Sequence, residues 1–295
     1  MSALPLPVIR HRSITVDGVR VFYRETGPER ADAPTVLLLH GFPSSSHQFR
    51  RLLDALGTEH RLIAPDHPGF GRTTVPDDFV YSFESLTDVA ESFVEALGLT
   101  ADGRRLVAYT FDYGGPVAFR LAGRHPEWFA GLIVQNANAY TEGLSELAQT
   151  LLTAQPGVPG AEERVRGILT EAVTRSQYED GTSDPELISP DGWTLDQHYL
   201  DLPGRDAAQI ALMLDYHNNV ELYPRWQSWL AERRPPTLIL WGDGDAFFTV
   251  AGARAYLRDV PDAQLHVFQT GHFALEEKLP EMAQLIGEFL DSLKP

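Results

Sequence analysis

The sequence predicts an α/β protein, a mostly parallel, doubly wound sheet with a block of helices inserted into it. Three observations carry that prediction. Short uninterrupted apolar runs alternate with helical patterns through the first part of the chain. The alternation stops after Asn138 and returns at Thr237. The stretch between them reads as helices and loops with no confident strand.

Taken in order, Ser13 to Glu25 predicts a hairpin, Ile14–Val16 and Val19–Tyr23 around the turn Asp17-Gly18. Thr35 to Leu39 is wholly apolar after its threonine, the signature of a strand covered on both faces of a parallel sheet. Leu62–Ala64, Leu106–Ala108 and Gly131–Val134 repeat it. Helical patterns lie between them at Gln48 to Gly57, Ser85 to Leu97 and Gly115 to Arg124. In the middle stretch, helices are expected over Leu144 to Ala154, Ala161 to Ser176 and Ala207 to Asn219. Strands return at Thr237 to Trp241 and Gln264 to Phe268, and a last helix is expected from Pro280 to Leu293. The economical division is a core of residues 1–138 and 233–295 with a helical cap, 139–232, inserted between two of its strands.

Composition narrows the function. A chain of 295 residues with 43% hydrophobic residues has enough apolar material for a substantial core. Its net charge of -17 and lack of a basic stripe argue against nucleic acid and, more weakly, against an anionic substrate. There is no cysteine, so disulfides, thiolate metal sites and cysteine catalysis are excluded. The start, Met1-Ser2-Ala3-Leu4-Pro5-Leu6-Pro7, lacks an apolar segment flanked by basic residues, and no apolar run nears the ~18 residues of a membrane span. The expectation is a cytoplasmic enzyme, monomeric or homodimeric, without membrane or nucleic-acid partners. The ten histidines show no H-E-x-x-H spacing, and neither metal nor organic cofactor is expected.

The chemistry centres on Leu106 to Pro116, an apolar strand, a tight turn and a helix start. Thr110 and Gly114 stand where G-x-S-x-G has its glycines, and Asp112 stands where that motif has serine. An aspartate side chain, whose carboxyl ordinarily titrates at about 3.9, needs no base to ionise at neutral pH. It attacks best at a saturated carbon bearing a leaving group, leaving an ester on the enzyme. Two further residues complete the set in the order nucleophile, acid, histidine. Asp245 follows the strand ending at Trp241, and His272 follows the strand ending at Phe268. His272 would activate water and Asp245 would orient the imidazole. Asp243, nearer the strand end, is the competing acid. The backbone N–H groups of Phe42, in His40-Gly41-Phe42-Pro43, and of Tyr113 are expected to form an oxyanion hole. Asp66 reads as a loop fastener, and Arg120 as the partner of a buried carboxylate.

These stretches, together with Ala64-Pro65-Asp66-His67-Pro68-Gly69-Phe70-Gly71, resemble the α/β-hydrolase superfamily over nearly the whole chain. Within it they are similar to the epoxide hydrolase and haloalkane dehalogenase branch, whose nucleophile is an aspartate. The resemblance implies a small apolar epoxide or organohalide as substrate, with water as the second reactant. Haloalkane dehalogenases supply a tryptophan after the nucleophile, where this chain has Tyr113, and often an asparagine where it has Phe42. A halide site would then need a cap tryptophan, Trp193, Trp226 or Trp229. Fluoroacetate dehalogenases carry arginine where this chain has Tyr113.

Epoxide hydrolases resemble it in His-Gly-Phe-Pro and in a cap segment Tyr-x-Asn, here Tyr216-His217-Asn218. That resemblance makes Tyr216 a proton donor, with Tyr140 as the expected second tyrosine, ahead of Tyr178 and Tyr199. His40, Phe247, Phe248, Phe273 and Trp193 are expected on the substrate pocket. The leading reading is hydrolysis of an epoxide to a diol. A dehalogenase using the same triad is the alternative, and a non-hydrolytic enzyme or ligand-binding protein on this fold is the alternative of another class.

Overall fold

A single eight-stranded sheet organises the computed structural model, which describes residues 6–30 and 33–294. Met1–Pro5, most of the opening stretch read above, lie outside the described residues. In chain order the first elements are β1 (Arg10–Val16), β2 (Val19–Thr26), β3 (Thr35–Leu39), α1 (Arg50–Leu56), β4 (Leu62–Pro65), α2 (Phe83–Ala96), β5 (Leu106–Phe111), α3 (Gly114–Arg124) and β6 (Phe129–Gln135). Six helices follow before the next strand: α4 (Glu146–Leu152), α5 (Ala161–Ile168), α6 (Glu171–Glu179), α7 (Pro190–Leu200), α8 (Arg205–Asp215) and α9 (His217–Arg233). The chain closes with β7 (Thr237–Gly242), α10 (Val250–Asp259), β8 (Gln264–Phe268) and α11 (Ala274–Ser292).

The strand order is β1-β2-β4-β3-β5-β6-β7-β8. The hairpin β1–β2 is antiparallel, and β2 meets β4 antiparallel; every other pairing is parallel. Every residue of β3, β5, β6 and β7 is buried, which is why their sequences run apolar without alternation. The hairpin turns as expected: Asp17 and Gly18 both have positive φ, 48° and 80°. Helices α2, α3 and α10 cover one face of the sheet through Phe83, Val117 and Tyr256, and α1 and α11 cover the other through Leu53 and Ile286.

The helical stretches differ in detail from expectation. Ala161 to Ser176 is two helices, broken at Leu169 and restarted by Thr170, whose hydroxyl accepts the Val173 N–H. Ala207 to Asn219 also divides, at Tyr216, and α9 runs on to Arg233. Helix α7 was missed although Ser189-Pro190 carries a start signal, a capping hydroxyl followed by proline in the first turn. Helix α10 was also missed. The last helix starts at Ala274, and Pro280 lies within it just after a kink at Lys278, instead of starting it. Among the described residues no helix is long and apolar enough to cross a membrane.

Candidate active site

The parallel strands all point their carboxyl ends at one rim, and the loops leaving that rim carry the reactive groups. After β5 the chain turns sharply into α3, with Asp112 at φ 46°. Such a conformation costs a non-glycine residue on the order of 1 kcal/mol and is sustained only where the surroundings enforce it. Here they do: the Asp112 N–H reaches the Asn136 carbonyl and the Asp112 carbonyl accepts from Gly115. Two glycines make the approach feasible. A Cβ on Gly41 would sit 2.3 Å from Asp112 Oδ1, and one on Gly114 would sit 2.1 Å from the Leu39 carbonyl oxygen.

The N–H of Phe42 donates to Asp112 Oδ1 at 2.7 Å, and the Tyr113 N–H also donates to that carboxylate. Burial pushes the Asp112 carboxyl up to about 6, with the charge on His272 and these two N–H donors restraining the rise. The two predicted oxyanion donors therefore converge on the predicted nucleophile.

His272 is buried, and its Nδ1 lies 2.7 Å from Asp245 Oδ2. Asp245 is held from every side. Asn136 Nδ2 donates to Oδ2 at 2.7 Å, and the N–H groups of Phe247 and Phe248 donate to Oδ1 at 2.7 and 3.1 Å. Burial disfavours the imidazolium, but Asp245, through charge and hydrogen bond, and then Asp112 outweigh it, so the His272 pKa is raised. Asp243, the rival acid, is exposed, and its N–H is tied to the Phe268 carbonyl.

Above Asp112 and His272 lies a cavity of about 280 Å³. The core contributes Phe42, Tyr113, Phe247 and Phe248 to its wall; the inserted helices contribute mainly leucines of α4, Val173, Met213 and Tyr216. Tyr216 is 5% exposed, and its buried hydroxyl makes no well-formed hydrogen bond, its neighbour being the Tyr223 hydroxyl. Burial first, then Tyr223 and the Asp112 charge, hold that hydroxyl well above the ordinary phenol pKa, so it stays protonated. The Asp215 beside it caps α2 through the Phe83 N–H at 2.8 Å and accepts from Asn218. These bonds pin the α8–α9 junction, and with it Tyr216, to the core.

Other expected pocket residues lie elsewhere. The Tyr140 hydroxyl donates to Asp259 at 2.7 Å and its ring packs edge-on to Tyr256, so it is turned onto α10 and away from the cavity. Tyr178 donates to Asp196, and Tyr199 does not reach the cavity wall. His40 is wholly buried under the loop, its Nε2 accepting from the His67 N–H at 2.9 Å. Phe273 stacks on Tyr178 at 3.8 Å, behind His272. Trp193 lies beside Tyr178 with the Arg175 guanidinium over its ring, and neither it nor Trp226 nor Trp229 lines the cavity.

Two structural expectations sharpen. Asp66 fastens its loop by accepting the N–H groups of Ser46 and Arg72. Arg120 donates to Asn219 and meets a carboxylate, but the exposed Glu84 and not a buried one.

Three residues near the site went unread. Asn136, at φ 41°, carries Asp245, and an asparagine directly after a buried strand was the available signal. Tyr223 stands behind Tyr216, where Asn138 Nδ2 donates to its hydroxyl at 3.4 Å. Gln177 lines the cavity from α6.

Comparison with known proteins agrees with the fold. A family model described as alpha/beta hydrolase fold matches residues 34–279. An uncharacterized hydrolase of Saccharomyces cerevisiae is 38% identical over 281 residues, covering 94% of this chain and 95% of its own. Epoxide hydrolase 2 of Caenorhabditis elegans is 25% identical over 97% of this chain and 81% of its own. The solved structure of a haloalkane dehalogenase from Bradyrhizobium elkani superposes with a TM-score of 0.76 at 24% identity, covering 97% of this chain and 99% of that one. At that identity the structural likeness speaks for the fold alone.

Proposed function

The chain belongs to the α/β-hydrolase fold family and is a hydrolase, and from that premise we propose that it opens epoxides to vicinal diols through an ester on Asp112. The observation that carries the proposal is the pairing of a buried carboxylate at the elbow with a buried, protonated phenol, Tyr216, on the cavity wall.

Oδ1 is held by the Phe42 N–H, and the attack is assigned to Asp112 Oδ2. It bonds to a ring carbon, the ring C–O bond breaks, and the Tyr216 hydroxyl gives its proton to the departing alkoxide. Esterification removes the Asp112 charge, one of the groups that raise the His272 pKa. The imidazole then releases its proton more readily and serves as base toward water. Hydroxide adds to the Asp112 carbonyl carbon, the oxyanion forms against the N–H groups of Phe42 and Tyr113, and collapse frees the diol and the carboxylate. The His272 imidazolium gives up the proton it took from water and the Tyr216 phenolate regains one, through water, which closes the cycle.

The cavity supports an epoxide over an organohalide. A leaving halide calls for N–H donors, and no tryptophan lines the cavity. No lysine or arginine lines it either, so nothing there would hold a haloacid carboxylate. The proposed arrangement has the inserted helices act as the cap that shapes this cavity.

A His272→Gln variant tests the reading, because its ester should not hydrolyse. Incubated separately with 1,2-epoxyhexane and 1-bromohexane, it should gain the mass of the whole epoxide, mapped to Asp112. An adduct from the bromide alone, of its mass less HBr, would overturn the epoxide assignment in favour of a dehalogenase. Adducts from neither would remove Asp112 from the chemistry.

A further inference from the structure

The cavity wall is apolar almost everywhere that the reaction does not need a polar group, and Gln177 breaks that rule. The residue is 6% exposed and lines the cavity from α6. Its side-chain amide makes no hydrogen bond within the protein and, unlike the sealed polar groups, keeps some accessible surface. Among the other buried glutamines, the amide of Gln48 is also unpaired but has no accessible surface, while two are engaged at both ends. Gln135 accepts from Tyr109 and donates to the His272 carbonyl, and Gln197 joins Thr174 to Asp201.

The position follows from the helix. Val173, Ser176, Gln177 and Asp180 fall at i, i+3, i+4 and i+7 and together face the cavity. Ser176 spends its proton on the Val173 carbonyl, and Asp180 is exposed to solvent. The end of α6 is seated on the His272 loop: Tyr178 stacks on Phe273 at 3.8 Å, and a Cβ on Gly271 would lie 2.2 Å from the Asp180 carbonyl oxygen. Gln177 therefore belongs to the wall beside the reacting groups, on a different helix from Tyr216.

We infer that Gln177 is a specificity-determining residue that donates a hydrogen bond to a second oxygen of the substrate, so that the preferred epoxides carry an ether, ester or hydroxyl oxygen close to the ring. The inference rests on the epoxide reading above and names the substrate class within it. Its physical basis is the asymmetry of buried hydrogen bonds. A bare alkyl chain lying over the amide strips it of water and gives nothing back, whereas an oxygen acceptor restores the bond. A site built around such a group discriminates strongly against the analogue that lacks the partner.

The test compares glycidyl propyl ether with 1,2-epoxyheptane, which have chains of equal length and differ by one oxygen for one methylene. The wild type should favour the ether by about ten-fold or more in kcat/KM. Gln177→Leu, and Gln177→Met as the more shape-conserving variant, should bring that ratio to near unity, losing activity on the ether while keeping or gaining it on the alkane. Thermal melting of both variants separates this from misfolding, and the ratio is read from whichever retains the wild-type Tm. A ratio unchanged by the substitutions would overturn the inference. So would an equal loss on both substrates, which would mark Gln177 as a residue that orders the hydrolytic water. If the wild type turns over neither epoxide and His272→Gln traps no adduct, the reaction assignment itself fails.

Discussion

The two walls of the cavity are built on different terms. On the sheet side, the two carboxylates leave fully buried strands and are over-determined by hydrogen bonds. Asp245 accepts from Asn136, Phe247 and Phe248 as well as facing His272, and Asp112 is gripped by the N–H groups of Phe42 and Tyr113. On the side of the inserted helices, Gln177 has no partner within the protein for its amide, and the Tyr216 hydroxyl has no well-formed hydrogen bond and meets only the Tyr223 hydroxyl. The difference teaches a division of labour. The strand-end loops pre-organise charge before any substrate arrives, while the inserted wall keeps its hydrogen-bonding capacity for the substrate to satisfy.

The comparison breaks first at Asp112. Asp112→Ala should lower kcat/KM on epoxides on the order of 10⁴-fold or more, since loss of a covalent nucleophile leaves only binding and the oxyanion donors. The wild type adds a pH test to the same group. Its carboxyl is raised to about 6 and the carboxylate is the attacking form, so kcat/KM should fall as the pH drops through about 6. An acid limb near the ordinary aspartate value would show that burial does not govern this group. On the other wall, Tyr216→Phe should cost less, about 10²-fold in kcat/KM, because it removes a proton donor and leaves the nucleophile intact. Its ester hydrolysis, measured in a single turnover, should be unchanged. Equal damage to both steps would mean that the ring positions the wall and does not donate its proton.

Legibility followed the same division. Asp112, Asp245 and the loop at Phe42 are readable because a buried parallel strand announces itself as an apolar run and the reactive residue follows it at a short offset, whereas His272 follows the partly exposed β8 and is legible from Gly271-His272-Phe273 and its place third in chain order. The inserted helices offer no such ruler. Tyr140 and Trp193 were reasonable by type and by region, yet which face of a short helix or loop meets the cavity depends on how helices pack against one another. Tyr140 lies two residues past Asn138, where the chain still hugs α10, and its ring turns that way. Gln177 was invisible for the same reason: glutamine is common on helix surfaces, and only the packing of α6 shows that this one is enclosed. Asn136 was nearer to being readable, since its place in the register matches that of the other rim residues.

Tyr140 gives the smallest expected effect and the sharpest control. It resembles Tyr216 in type, is equally buried and belongs to the same inserted region in sequence, but its hydroxyl is already engaged with Asp259 and its ring rests on Tyr256. If wall tyrosines matter because they line the cavity with a hydroxyl not committed to a carboxylate, Tyr140→Phe should leave kcat/KM within about two-fold of the wild type. What it loses is one hydrogen bond to a carboxylate, about 1 kcal/mol or somewhat more of stability. For a domain of this size that is a drop in Tm of about 2–4 °C. The pair of phenylalanine variants thus separates two properties that composition alone confounds. Tyr216→Phe should cost activity and little stability, since a buried hydroxyl with no well-formed hydrogen bond contributes little to the resting fold. Tyr140→Phe should cost stability and little activity. A Tyr140 variant that loses turnover as Tyr216→Phe does would place its hydroxyl in the reaction and dissolve the distinction between the engaged and the waiting phenol.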